Sequence, residues 1–176
     1  MAKIKLNNVR LSFPSLFRKA VFSGEETKFE ATFLLDKKKH ADLIKQIEGE
    51  ISAAVKEKFA GKVKALPGDK IFMKDGDDFE YAGYAGHMSV KASSKSRPIC
   101  VDRDRSSVTE EDNKFYAGCY VNGIIEIWVQ DNSYGRRVNA NLLGVQFYKD
   151  GEPFADGVKA SVDDFDAFED EVPNFV

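Results

Sequence analysis

The chain has 176 residues, of which 43% are hydrophobic and 31% charged, and its formal net charge is −3. This composition describes one globular domain, with or without a tail, that is long enough to bury a core, and no apolar run approaches the roughly 20 residues of a membrane helix. The charge is uneven, because all 26 Lys and Arg residues precede residue 160 and six acidic residues without a basic one follow it. A basic body with an acidic end indicates a polyanionic partner.

The N-terminal residues predict a strand that ends in a basic turn. Residues 4–13 alternate loosely in polarity, and on a regular strand Ile4 and Val9 would lie on opposite faces. Pro14 lacks a backbone donor and is therefore expected to end this strand. Two aromatic side chains flank the turn and either cap the core or stack on a base: Phe13 and Phe17.

Residues 28–59 predict a second strand followed by an amphipathic helix. Residues 28–35 alternate, so that Phe29 and Phe33 face inward while Lys28 and Thr32 face solvent. Asp36 is suited to cap a helix start. The helical stripe then recurs every four residues, which predicts a helix that packs on a sheet and ends near residue 61: Leu43, Ile47, Ile51, Val55 and Phe59.

Residues 66–85 are rich in Gly and Asp and predict a long connection. The segment DGDD at 75–78 lacks the spaced ligands and closing Glu of a calcium loop, which favours a polar turn. The segment YAGYAG at 81–86 is also expected to be a loop, in which two glycines allow the backbone to approach a ligand closely.

Residues 87–97 predict a strand with a small apolar inner face, formed by Met88, Val90 and Ala92. Serine and lysine side chains alternate with these residues, and such donors suit phosphate oxygens without reading bases. An ordinary solvated strand face is the alternative. A short strand follows at 98–102. The outer face of residues 87–97, here called the ladder, carries three candidate phosphate contacts: Lys91, Lys95 and Arg97.

Residues 115–149 predict an aromatic hairpin. Odd-numbered residues from Val121 to Val129 form an apolar inner row, and the turn falls at 131–135. The parity of the returning strand changes near residues 142–144, which predicts a bulge there. The candidate stacking residues are Tyr116, Tyr120, Trp128 and Tyr134, and the candidate phosphate contacts are Arg136 and Arg137.

The sequence carries none of the usual motifs of catalysis. Two histidines and two cysteines show no metal-ligand spacing, and phosphate-loop, dinucleotide and nucleophile-elbow motifs do not occur. We therefore expect no enzymatic activity, no cofactor and no bound metal. The N-terminus lacks the apolar block of a signal peptide, so we expect a cytoplasmic protein with Cys100 and Cys119 as free, buried thiols.

One helix among five or more strongly bent strands predicts a mainly β fold, an OB-fold-like Greek-key barrel formed by residues 1–160. Residues 161–176 are acidic, are spaced by phenylalanines and cannot form a core, so we expect a flexible, disordered acidic tail. The candidate partner-binding residues of this tail are Asp163, Asp164, Asp166, Glu169, Asp170, Glu171 and Phe175.

Four segments resemble a family of bacteriophage single-stranded DNA-binding proteins that includes an Enterobacter phage member. They are LNNVRLSFPSLF (6–17), KSRPICVD (95–102), FYAGCYVNG (115–123) and YGRRVNANLLGVQFYKDGE (134–152). The resemblance implies an OB-fold with an acidic C-terminal tail that ends near an aromatic residue. It also implies cooperative or multiple binding along DNA and roles in phage replication and recombination.

Residues and resemblance together predict a sequence-independent single-stranded DNA-binding protein in the cytoplasm of an infected bacterial host. It would coat and protect single strands during phage DNA replication, recombination and repair, and self-association along DNA is expected. The acidic tail would compete with DNA and recruit phage replication proteins, namely the polymerase and the helicase/primase. Two alternatives are a protein-interaction or recruitment module without direct DNA binding, and a cold-shock-like RNA-binding domain, although the phased aromatics of the latter are lacking.

Overall fold

The computed structural model describes residues 3–59, 66–154 and 162–168. Within them the chain forms short strands, long strands and one long α-helix. The strands are β1 (Lys3–Ser15), β2 (Val21–Phe22), β3 (Glu25–Glu26), β4 (Phe29–Asp36), β5 (Met73–Asp75), β6 (His87–Ser94), β7 (Ile99–Val101), β8 (Tyr120–Asn132) and β9 (Gly135–Lys149), and helix α1 (Ala41–Phe59) follows β4.

The main sheet closes into a barrel. Its strand order is β5-β6-β4-β1-β8-β9-β7, and an additional parallel pairing of Ser93 with Asn141 joins β6 to β9. Strands β1, β4, β6, β8 and β9 therefore form a closed five-stranded barrel, with β5 and β7 attached at its margins. The predicted mainly β, OB-fold-like barrel with one helix is confirmed.

The barrel interior is filled from the predicted inner faces. Val121, Ile125 and Ile127 are fully buried, whereas Val129 at the end of the same row is half-buried and packs against the core. Gly123 also belongs to this row, and a Cβ built on it would lie 2.8 Å from two ring carbons of the buried Phe33. The Phe33 ring therefore fits in the core because residue 123 has no side chain.

Helix α1 packs on β8 and β9 through the predicted stripe. Asp36 caps the turn before the helix, because its carboxylate accepts hydrogen bonds from the backbone N–H groups of Lys38 and Lys39 at 2.8 and 3.0 Å. The helix itself begins at Ala41. Its buried residues are Ile44, Ile47, Ile51, Val55 and Phe59, while Leu43 is half-buried.

Strand β1 departs from regular alternation. Asn8 has a φ of 52°, and the register on β8 shifts between Leu6 and Val9. This bulge rotates the second half of the strand, so that Ile4 and Val9 both point into the core, at 1% and 0% exposure. The prediction that they lie on opposite faces is wrong, because it assumed an unbroken two-residue period.

Three further expectations near β1 and β4 need correction. The strand continues past Pro14 to Ser15, because the proline lies in a second bulge, where a missing donor is tolerated. Thr32 is buried, since residues 79–84 fold over that face. The segment predicted as a pure connection contains β5, which pairs with β6.

The hairpin of β8 and β9 follows its prediction. Asn132 pairs with Gly135 across the turn, and the register shifts where Ile124 pairs with Gly144 and Ile125 pairs with Leu142, which confirms the predicted bulge. Cys100 and Cys119 are free and buried, as expected.

The predicted domain boundary at residues 160 and 161 lies outside the described residues and stays a prediction. In the parts of the chain that the structure describes, no helix has the length and apolar character required to cross a membrane.

Candidate nucleic-acid interface

A groove of about 540 Å³ lies on the outer surface of the barrel beside the junction of β6 and β9. Its floor comes from three strands, because β6 contributes Lys91 and Ser93, β4 contributes Thr32, and β9 contributes Arg137 and Asn139. The segment before and within β5 and the loop after it form the two sides. The groove is open to solvent and extends across several strands, as a linear ligand requires.

Four aromatic residues, here called the aromatic wall, form one side of the groove: Phe13, Phe79, Tyr81 and Tyr84. The rings of Phe79 and Tyr81 are stacked, with centroids 5.8 Å apart and an interplanar angle of 19°. Phe13 meets Tyr81 edge to face at 5.0 Å. Phe13 and Tyr81 are 46% and 53% exposed, so both rings offer a surface to a flat ligand.

Tyr84 anchors the aromatic wall to the barrel. It is 3% exposed, and its hydroxyl donates a hydrogen bond to the Ser12 Oγ at 3.2 Å. Burial raises the pKa of Tyr84 above its ordinary value, so the phenol is neutral at physiological pH. Its ring lies 5.2 Å from that of Tyr81 and 5.6 Å from that of Phe79. Tyr84 thus supports the two rings beside it.

A charged clamp fixes the ends of the loop that carries three of these aromatics. The Lys37 Nζ lies 2.7 Å from the Asp75 Oδ1 and 2.7 Å from the Asp77 Oδ2. Asp77 also accepts a hydrogen bond from the Gly86 N–H at 2.8 Å, and the Lys37 N–H donates to the Gly86 carbonyl at 3.0 Å. Hydrogen bonds from Lys37 hold the pKa values of both carboxyls below the ordinary 3.8. Residues 75 and 86 are therefore tied to the end of β4.

The groove is lined by more cations than carboxylates. Glu30 and Asp69 contribute the negative groups, and the Lys91 Nζ lies 3.8 Å from the Glu30 carboxylate. This pair is exposed enough that its energy is small, which leaves the ammonium free to exchange one anion for another. The four lining cations are Lys70, Lys74, Lys91 and Arg137.

The structure brings three of the residues predicted from sequence into this groove: Phe13, Lys91 and Arg137. Trp128 lies on the outer face of β8, where it pairs with the groove residue Asn139, but it does not line the groove. Tyr134 is 87% exposed at the hairpin turn. The Arg136 guanidinium lies over the ring of Phe59, 5.4 Å from its centroid, at the helix instead of the groove.

Lys95, Arg97 and Phe17 lie beyond the groove. Lys95 is exposed after the end of β6, and Arg97 donates a hydrogen bond to the Phe17 carbonyl at 3.1 Å. The ring of Phe17 lies 6.3 Å from that of Phe115 in a separate depression. The ladder predicted as one row therefore divides, because the chain leaves the strand after Ser94.

Tyr116 and Tyr120 lie away from the groove and make contacts within the protein. The Tyr116 hydroxyl accepts a hydrogen bond from the Gly151 N–H at 3.0 Å and lies 2.9 Å from the Asp150 carboxylate. The ring of Tyr120 lies between two cations, 5.5 Å from the Arg10 guanidinium and 4.8 Å from the Lys149 ammonium. Neither residue lines the groove, and their use as stacking residues stays a prediction.

The tail is described only in part. A short turn spans Val162–Asp164, and Phe165 and Phe168 are 73% and 92% exposed. Of the predicted partner-binding residues, Asp163, Asp164 and Asp166 fall in this segment. The remaining candidates lie outside the described residues, as does most of the segment that is expected to be disordered. These candidates are Glu169, Asp170, Glu171 and Phe175.

Sequence reasoning missed most of the aromatic wall. The segment 79–84 carries an aromatic residue at three of six positions, a density that a solvated loop does not need, and this was the available signal. The Gly and Asp content of residues 66–85 favoured an ordinary connection instead. The residues missed are Phe79, Tyr81, Tyr84, Lys70, Lys74 and Asn139.

In the described parts of the chain, His, Cys, Asp and Glu side chains do not form a group of three or more suited to a metal ion. The groove itself is lined by aromatic rings, cations and hydrogen-bond donors.

Comparison with known proteins gives consistent matches over nearly the whole chain. Residues 2–176 match the model of a family described as Enterobacter phage Enc34, ssDNA-binding protein. Protein p50 of Acyrthosiphon pisum secondary endosymbiont phage 1 is 43% identical over 172 residues, which cover 93% of this chain and 92% of that protein.

Solved structures show the same similarity. The single-stranded DNA-binding protein from bacteriophage Enc34 in complex with ssDNA has a TM-score of 0.79 and 35% identity, over 87% of this chain and 89% of that one. Bacteriophage T7 gp2.5, also a single-stranded DNA-binding protein, has a TM-score of 0.53 and 14% identity, over 92% and 99% of the two chains. The T7 likeness shows the fold alone.

Proposed function

Because the chain belongs to the family of the Enterobacter phage Enc34 single-stranded DNA-binding protein, we propose that it binds single-stranded DNA without regard to sequence, in the groove beside β6 and β9, and has no catalytic activity. The observation that carries this assignment is that the aromatic wall and four cations line one open groove. The DNA-bound relative with 35% identity supports it.

The two kinds of side chain have separate roles. Every base has a flat π face, so rings such as Phe13 and Tyr81 stack on any base, at about 1–3 kcal/mol per base. Lysine and arginine neutralise phosphates, which are the same at every nucleotide. A duplex keeps its bases stacked on one another, so a groove that recognises base faces favours single strands.

The salt dependence of binding tests this proposal. Affinity of the full-length protein for fluorescein-labelled oligo-dT, measured by anisotropy, should fall steeply with salt. For single strands the logarithmic slope is about −0.7 per phosphate neutralised, so four groove cations give about −3. Lys91→Ala should make that slope shallower by about 0.7. Lys45→Ala, on the exposed face of α1, is the matched control and should leave it unchanged.

Failure to bind oligo-dT at low salt would contradict the proposal and favour the protein-interaction module. Tighter binding to the corresponding ribo-oligonucleotide would instead favour an RNA-binding domain, because the 2′-hydroxyl is the group that distinguishes the two.

The cellular role follows from coating single strands. We propose that the protein protects single-stranded DNA during phage replication, recombination and repair in the cytoplasm of the infected host, with several copies along one strand. The acidic tail would bind replication proteins, with Phe165 and Phe168 as exposed aromatic contacts. Tethered to a basic body, it would also reach an effective concentration on the order of mM and compete with weakly held DNA.

Neutralising the tail tests the competition. A full-length variant in which the six acids from Asp163 to Glu171 become amides should bind oligo-dT more tightly than wild type at low salt, since the competing polyanion is lost. The difference should shrink as salt screens the tail. Equal affinities at low salt would reject competition by the tail and leave DNA binding itself unaffected.

A further inference from the structure

Residues 150–154, here called the strap, cross the barrel after β9 and are held by unusually close contacts. The Phe154 N–H donates to the Ala117 carbonyl at 3.0 Å. The Tyr116 hydroxyl binds the Gly151 N–H at 3.0 Å. Added side chains at Gly118 or Gly151 would collide with the facing backbone, so the two segments touch directly.

Arg10 fastens the far end of the strap. Its Nε donates to the Gly118 carbonyl at 3.0 Å, and its Nη2 donates to the Glu152 carbonyl. The guanidinium carbon lies 4.4 Å from the ring centroid of Phe154. One arginine thus holds both the backbone and the terminal aromatic side chain of the strap, combining hydrogen bonds with a cation–π contact.

The Cε1 and Cζ atoms of the Phe154 ring lie against Gly83, where an added Cβ would collide with them. Gly83 has a φ of +84°, a conformation that side chains disfavour. It lies between Tyr81 and Tyr84 of the aromatic wall. The strap therefore packs against the loop that presents Tyr81 to the groove.

We propose that Phe154 is a positioning residue for the groove: wedged between Arg10 and Gly83, it holds the loop that presents Tyr81 to a base. This inference rests on the proposed function and assigns to the strap a role in DNA binding without contact to DNA. Tyr116 and Tyr120 then serve the groove indirectly, as supports of the strap.

A double-mutant cycle in the full-length protein tests the proposal. Oligo-dT affinity is measured for wild type, Phe154→Ala, Tyr81→Ala and the double variant. Phe154→Ala should weaken binding about three- to tenfold, part of the loss expected when a stacked base is released. In the Tyr81→Ala background the same change should cost less than about twofold, because the ring being positioned is gone. Phe22→Ala, which removes a ring that is 75% exposed and does not line the groove, is the control and should not weaken binding.

Hydrogen–deuterium exchange of the free protein provides a readout that does not depend on DNA. Phe154→Ala should accelerate exchange in residues 79–86 and leave the amides of β8 protected. Phe154→Leu, which keeps an apolar contact with Gly83 but lacks the ring under Arg10, should give an intermediate effect and serves if the alanine variant does not fold.

Two results would overturn the proposal. One is unchanged exchange in residues 79–86 of the folded Phe154 variants. The other is an equal loss of affinity from Phe154→Ala with and without Tyr81, which would indicate a general effect on the fold. Wild-type protein that does not bind oligo-dT would reject the proposed function, while the exchange experiment would still report whether the strap holds the loop.

Discussion

At the scale of single residues, the exposure and the neighbours of each ring separate rings that can meet a ligand from rings that serve the fold. Phe13 and Tyr81 are about half exposed and face one groove. Tyr116 has its hydroxyl engaged by the strap, and Tyr120 is covered by cationic side chains. Trp128 belongs to neither group, because its strand partner Asn139 lines the groove and Trp128 itself does not. Aromatic content alone therefore does not identify the contacts.

Trp128→Phe tests this distinction at the residue scale. Because Trp128 borders the groove without lining it, the substitution should change oligo-dT affinity by less than about threefold, below the range of a lost base stack. A fluorescein-labelled oligonucleotide gives the affinity without relying on tryptophan emission. A tenfold or greater loss would place Trp128 among the stacking residues.

At the scale of elements, strand parity and its breaks leave a pattern in the sequence, whereas the folding of a loop over a strand does not. The inner row of β8 follows from period-two alternation, and the bulge at Leu143 follows from its change of parity. The bulge at Asn8 in β1 is marked by the same change of parity, from Ile4 and Leu6 to Val9, but the prediction assumed unbroken alternation. The aromatic wall depends on a loop folding back over β4, which no local pattern encodes.

The clamp formed by Lys37 predicts a pH-dependent contribution of one loop to stability. Lowered pKa values of Asp75 and Asp77 mean that the contribution is present above pH 3.8 and is lost as pH falls through the lowered values. Hydrogen bonds to these carboxylates raise the pKa of Lys37 above 10.5, so the contribution is also lost when pH rises through that raised value.

Thermal unfolding of Lys37→Met checks this window. The variant should have a lower Tm than wild type at pH 7, and the difference should shrink as pH falls below 3.8 and the carboxyls become protonated. Lys38→Met, at an exposed neighbouring position without these carboxylate partners, is the control. A Tm difference that persists unchanged at pH 2 would show that Lys37 stabilises the loop by packing and not by charge.

The close approach of β8 to Phe33 predicts an intolerant glycine. Gly123→Ala places a methyl group 2.8 Å from two ring carbons in a filled core and should destabilise the protein by about 1–3 kcal/mol. Gly49→Ala is the matched control, because nothing lies within 4 Å of the added atom in the helix, and it should stabilise by about 1 kcal/mol. Urea unfolding measures the free energy of unfolding of both variants, which should fall in Gly123→Ala and rise in Gly49→Ala. A neutral Gly123→Ala would show that Phe33 has room to move.

At the scale of the whole molecule, closure of the barrel creates the site. The pairing of β6 with β9 brings Lys91 and Arg137 into the same groove, although the two residues are far apart in sequence. The strap then returns the chain to the aromatic side of the same groove. The asymmetry of charge was visible in the sequence, and so was the family resemblance. The convergence of three outer strand faces with one loop was not, because it depends on long-range pairing.

The most direct test of base stacking in this groove is the oligo-dT affinity of Tyr81→Ala, measured beside Phe22→Ala at a salt concentration where wild type binds well. Both substitutions remove an exposed ring, 53% and 75% accessible, but only Tyr81 lines the groove. Tyr81→Ala should weaken binding by about five- to hundredfold, the equivalent of about 1–3 kcal/mol, and Phe22→Ala by less than about twofold. Wild-type affinity in Tyr81→Ala, or an equal loss in Phe22→Ala, would contradict the assignment.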